Sequence, residues 1–227
     1  MNNAGSAMRN TGWKRGKYFS LVMVAVVVIA GFVSGCARKG PILVNFSYAQ
    51  QQGSTVEQTP KAIVGISPFK DERGKPVSVA GKRFDSLNDS VNDLVVQGTV
   101  SEKLTKALDR ALSARGIAWR DSAAWDLTEA GVPPDGTTLV MGGEIKTLWV
   151  ESLTAFANTK VTAKVELRIV AADPVQKKIV RVLNVNSMIE RSRVNYTTTF
   201  VQETMSEALT AAINQLFQDE ELQARFK

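Results

Sequence analysis

Three adjacent charged side chains, Asp71-Glu72-Arg73, form the most pointed polar cluster in the chain. They follow an apolar run, Lys61–Phe69 (KAIVGISPF), and so stand at the end of a strand. A carboxylate beside a cation suits general acid–base work, but that work needs a matched partner at a defined distance. No spacing here supplies one, and charged residues at a strand end read more simply as a solvated turn or a local ion pair. A hydrolase built on carboxylates would instead bury Asp71 or Glu144 in a deep pocket.

Two absences narrow the chemistry further. The chain has no histidine, which removes the usual general base and the commonest metal ligand. It has one cysteine, Cys36, so no intramolecular disulfide can form. Ser-His-Asp and Cys-His catalysis and ordinary zinc sites go with them. Serines and lysines are plentiful, yet no spacing singles out a Ser–Lys pair. Gly142-Gly143 lies within a strand rather than between strand and helix, so it marks a bulge or close packing against a helix, not a phosphate loop. The expectation is a protein that is not an enzyme and uses no metal and no cofactor.

The chemistry that remains is at Cys36. Arg9, Lys14, Arg15 and Lys17 form a basic stretch with no acidic residue, and Leu21–Val33 follows as 13 apolar residues. That run matches the core of a secretion signal and is short of the roughly 20 residues needed to span a bilayer. Val33-Ser34-Gly35-Cys36 after it resembles a bacterial lipobox. The resemblance implies a diacylglycerol on the Cys36 sulfur, cleavage between Gly35 and Cys36, and acylation of the new amine. Several acyl chains anchor far better than one, at about 0.8 kcal/mol per buried CH₂. Ala37 rather than Asp follows Cys36, which resembles cargo sorted to the outer membrane, facing the periplasm.

Charge supports no other address. Of 28 Lys and Arg, four lie in residues 1–35, leaving 24 against 22 acidic residues and a net charge of +2. A nucleic-acid partner would call for a clustered basic face and a larger excess.

Patterning divides the rest into a tether over 36–60, a periplasmic domain over 61–218 and a charged tail over 219–227. Ile42, Val44, Phe46 and Tyr48 alternate with Leu43, Asn45 and Ser47, an edge strand over 41–48. Lys70–Gly98 carries little pattern and reads as a long functional or mobile loop. Thr99–Arg115 is the clearest helix, with Val100, Leu104, Ala107, Leu108, Ala111 and Leu112 in one stripe and Thr99/Glu102 as a capping box. Ile117–Trp119 suggests a brief strand and Ser122–Ala130 a short helix.

Three strands follow, over 138–150, 159–170 and 178–190, the last with a bulge near Val182-Leu183. In the second, Val161, Ala163, Val165, Leu167 and Ile169 face inward while Lys160, Lys164, Glu166 and Arg168 face water. Phe200–Phe217 closes the domain as a second amphipathic helix. The fold class is α+β: one antiparallel sheet, mixed at its edge, with two main helices on one face. Trp119, Trp125 and Trp149 either line a groove or fill the core or its margin.

Asp71 and Arg73 after a strand, the Leu104–Gly116 helix pattern, Gly143-Glu144-Ile145 opening a strand meander and the Asp219–Leu222 tail together resemble small Gram-negative lipoproteins of the YajG type. That family is uncharacterised, so the resemblance implies a fold and a place more than an activity. The expected role is a non-enzymatic accessory domain, bound to the membrane through its lipid and to an envelope protein through Asp71, Arg73, Lys160, Lys164 and Arg168. Alternatives are the hydrolase above and a structural lipoprotein contacting the cell wall through Lys227.

Overall fold

A computed structural model of the chain describes residues 40–49, 62–86 and 89–226. The signal segment with Gly35 and Cys36, residues 50–61, 87 and 88, and Lys227 lie outside the described residues.

The domain is built on one long strand. β7 (Leu139–Ala155), β8 (Asn158–Asp173) and β9 (Lys178–Val194) form an antiparallel meander. At about 3.3 Å per residue, β7 runs roughly 55 Å. Its far edge takes three short strands in succession, all parallel to it. β2 (Ile63–Ile66) pairs at Leu139–Met141, β3 (Lys70–Asp71) at Glu144–Ile145, and β4 (Val79–Phe84) at Val150–Leu153. β6 (Ala118–Asp121) extends β2 in parallel, β5 (Ser90–Val95) pairs antiparallel with β4, and β1 (Ile42–Leu43) adds in parallel to β5. The class is α+β with a mixed open sheet, and the parallel pairs reach in from the edge to β7 itself.

Helices α1 (Val100–Ser113) and α2 (Thr198–Leu216) share one core with the odd-numbered side chains Val161–Ile169 of β8. All six stripe residues of α1 are buried, and Thr99 and Glu102 exchange both capping bonds at 3.1 Å. α2 starts two residues before the expected Phe200, because Thr197 caps it through the Phe200 amide at 3.2 Å.

The weakly patterned Lys70–Gly98 stretch holds β3, β4 and β5 rather than one long loop. Its period of two is broken by register shifts at Val79/Gly81 and Arg83/Phe84. Gly81 also occupies a position no larger residue fits: a Cβ there would lie 1.9 Å from the Val150 carbonyl oxygen. Gly143 is similar, its missing Cβ falling 2.2 Å from the Arg168 oxygen, so it serves close packing against strand β8 and Phe69 rather than against a helix.

Ser122–Ala130 is not a helix. Trp125 turns onto Val140, Val170 and Ala172, which form a second small core on the opposite face of the sheet. Trp125 donates from Nε1 to the Thr128 oxygen at 2.7 Å, and Asp126 accepts from the Thr128 amide at 3.0 Å. The bulge in β9 sits at Val180, where the register against Ala171–Ala172 shifts, while Val182 and Leu183 pair regularly.

Both ends of the domain are tied down. The expected charged tail is α3 (Glu220–Phe226), started by Asp219, which accepts from the Leu222 amide at 3.1 Å and from Arg181 at 2.7 and 2.9 Å. Leu222 is buried and Phe226 meets Phe217 at 5.8 Å. At the other end, residues 40–49 belong to the domain instead of the tether. Val44, Phe46 and Tyr48 enter the core, and Tyr48, Arg115 and Asn214 bond one another at 2.8 Å with the Arg115 guanidinium over Phe217.

Replacing Gly81 with Ala is expected to cost about 1–3 kcal/mol of stability by overpacking β4 on β7. Urea unfolding reads this directly; an unchanged midpoint would show that the strands do not approach so closely.

Candidate functional site

The outer face of the β7–β8–β9 meander carries the sequence-selected cations. Strand alternation places Lys160, Lys164 and Arg168 on this face, away from the helices. Each meets a carboxylate: Lys160 with Glu190 at 2.8 Å, Lys164 with Glu166 at 2.8 Å, and Arg168 with Glu144 at 3.8 Å. Glu144 also takes Lys146 at 2.7 Å, and Glu166 accepts from the Thr147 hydroxyl at 2.7 Å. Lys146 chiefly holds the Glu144 carboxyl below its ordinary range, and Lys164 does the same for Glu166. Pairs this open to water contribute little, commonly 0–1 kcal/mol, so they exchange readily for a partner's charges.

Beside this ladder lies a recess of about 310 Å³. Trp149 stands on its wall, half-buried, with its indole N–H donating to Glu151 at 3.0 Å. Lys75, Lys82 and Lys146 surround it, and the Lys75 ammonium lies 5.4 Å from the ring centroid. The other indoles divide as expected of core and margin. Trp125 is buried in the second core, and Trp119, on β6, is half-buried with its indole N–H donating to Ser113 at the end of α1. Only tertiary approach brings Lys75 and Lys82 to Trp149.

Asp71 and Arg73 are brought together, but inside the fold. The Arg73 side chain is 3% exposed and grips Asp71 with two bonds of 2.8 and 2.7 Å. Its remaining nitrogen donates to the Val79 oxygen at 2.7 Å and the Leu148 oxygen at 3.2 Å. These bonds tie β3 and β4 to β7 across the recess floor. Hydrogen bonding from Arg73 holds the Asp71 carboxyl below its ordinary value. Arg73 is therefore committed to the fold and is not a free surface cation. Asp71 and Glu144, the two carboxylates of the hydrolase alternative, are both held below their ordinary range by the cations beside them, Arg73 and Lys146.

The edge strand expected over 41–48 is two residues long. Beyond it, the Val44 amide bonds the Val95 oxygen at 2.8 Å, and the Ser47 and Ala49 amides turn to the α2 hydroxyls of Ser206 and Thr210 at 3.2 and 2.9 Å. Among the described residues no helix is long and apolar enough to cross a membrane, and no three acidic, Cys or His side chains converge as a metal site.

No family profile and no curated protein matches the chain. Solved structures similar to it include a Xanthomonas campestris protein of family DUF330, with 12% identity, 82% of this chain and 95% of that one covered, and a TM-score of 0.47. A hypothetical protein of Chlamydia trachomatis follows with 13% identity, coverage of 71% and 96%, and a TM-score of 0.39. A Neisseria meningitidis lipoprotein, GNA1162, has 13% identity, coverage of 70% and 99%, and a TM-score of 0.35. Similarity at this level assigns no role to any residue here.

The Asp71–Arg73 pair makes a pH-dependent contribution with a defined sign. A carboxyl whose folded pKa is depressed stabilises above its unfolded value, near 3.9, and that stability is lost as pH falls through the folded value. Arg73→Ala is expected to cost about 3 kcal/mol at pH 7, because it strands a largely buried carboxylate. The gap from the unsubstituted chain should narrow below pH 4; a gap that is constant with pH in urea titrations would contradict the pairing.

Proposed function

We propose that the chain is a lipid-tethered, periplasm-facing lipoprotein of the outer membrane that binds another envelope protein without catalysing a reaction. The Val33–Cys36 lipobox resemblance supports the tether, and the outer sheet face supports binding. The observation that carries the reading is a half-buried indole ringed by three lysines beside a ladder of easily exchanged ion pairs. Such a surface suits a partner presenting carboxylates and an apolar or aromatic side chain. Exposed complementary charge would set the on-rate and the choice of partner, and the indole would supply burial.

The leash is short on this reading. Asn92 donates to the Gly40 oxygen at 2.6 Å, so the chain joins the domain four residues after Cys36. Four extended residues span at most about 14 Å. Acyl chains on Cys36 would hold the β1–β5 side of the domain against the bilayer and raise its local concentration toward a membrane partner.

The test is site-specific photo-crosslinking in cells from position 149. It is expected to capture one reproducible envelope protein, and to lose about tenfold of that product with Lys75→Glu and Lys82→Glu together. A control probe at Glu203, on the outer side of α2, should not capture it. Equal capture from both positions, or indifference to charge reversal, would overturn the assignment of this face.

A further inference from the structure

β9 ends the sheet on one side. It pairs with β8 alone, over its whole length, and its even-numbered residues turn backbone N–H and C=O groups away from β8. Among the described residues, one side chain caps that edge at the even positions. The Gln215 amide donates to the Asn186 oxygen at 2.6 Å and accepts from the Asn186 amide at 3.3 Å, as a neighbouring strand would. From Val182 to Val194 the edge has no proline and no bulge, the devices that usually blunt a free strand.

The side chains along this edge are patterned. Val182, Met188 and Val194 are 41%, 64% and 68% exposed, on one face and six residues apart. They are the exposed large hydrophobics of β9, and they are symmetric about Met188. An antiparallel strand of the same sequence, centred on Met188, would set Met188 against Met188 and each Val182 against a Val194. Glu190 would meet Asn186, and Ser192 would meet Asn184. On the helix side Arg191 would meet Val185, Arg193 would meet Leu183, and Ile189 would meet Ser187. No like charges fall opposite one another, and every exposed apolar side chain finds an apolar partner. All the even residues would also exchange hydrogen bonds in this register.

There is room for the second strand. The helix side of the edge opens onto a groove of about 940 Å³ along the outer face of α2, where Ile189, Gln215 and Glu207 stand. Gln215 would exchange two side-chain bonds for the backbone bonds of an incoming strand.

We propose that β9 is the two-fold interface of a homodimer, with the two sheets joined edge to edge and Met188 on the symmetry axis. Self-complementarity is what an isologous contact requires, and a register with this match at every position favours a second copy over a foreign strand.

Cysteine substitution in the full chain tests it. Opposed residues of a hydrogen-bonded antiparallel pair have Cα atoms about 5.5 Å apart, within disulfide range. Met188→Cys should give a disulfide-linked dimer on mild oxidation, well above the unsubstituted chain. Thr162→Cys, on the same face one strand inward and two residues off the axis, would lie roughly 20 Å from its copy and should stay at background. In detergent, light scattering should show a dimer for the unsubstituted chain and a monomer for Met188→Lys, which places like charges on the axis. Equal linkage from positions 162 and 188, a monomeric unsubstituted chain, or a dimer untouched by Met188→Lys would each overturn the proposal.

Discussion

The domain hangs on the continuity of β7. One strand of 17 residues gives its whole length on one side to β8 and divides the other among three short strands that arrive in chain order. β2, β3 and β4 cannot form a sheet with one another, since each is docked end to end along the same partner. What holds them in place is specific to each junction: the Val150 carbonyl where Gly81 leaves room, and the Arg73 guanidinium spanning Asp71, Val79 and Leu148. Long-range pairing of this kind closes large loops before it is rewarded, so the fixed β7–β8 hairpin is the natural template for the rest.

That arrangement also separates two faces with different duties. The helix side holds α1, α2 and the main core, and the Tyr48–Arg115–Asn214 network clamps the incoming N-terminal segment to it. The opposite side is left to charged pairs, the Trp149 recess and one small apolar cover by Trp125. Carboxylates on this face are held ionised by lysines and hydroxyls, and open pairs of this sort cost little to rearrange.

Much of this was legible where burial is one-sided. β8 and α1 see water on one face only, so their periods of two and of 3.6 are strict, and the cap at Thr99 follows from local chemistry. Legibility failed where a short strand is interrupted: β4 and β5 carry register shifts and a required glycine, which erase alternation. Trp125 misled because its apolar company belongs to a second core rather than to a helix stripe. Leu222 and Phe226, four residues apart, extend the apolar pattern of the preceding helix into the charged tail, and they are the side chains of α3 that pack. The Trp149 recess needed the approach of Lys75 and Lys82 from another strand connection, which no local pattern encodes.

The proposed tether at Cys36 and the proposed binding face both require the lipid to be there. The measurement that tests this most directly is the intact mass of the protein extracted from membranes. Residues 36–227 plus acyl groups, with the modified form lost in Cys36→Ser, is the result expected. A mass equal to the full chain without lipid would contradict the account and require Leu21–Val33 to hold the protein at the membrane instead.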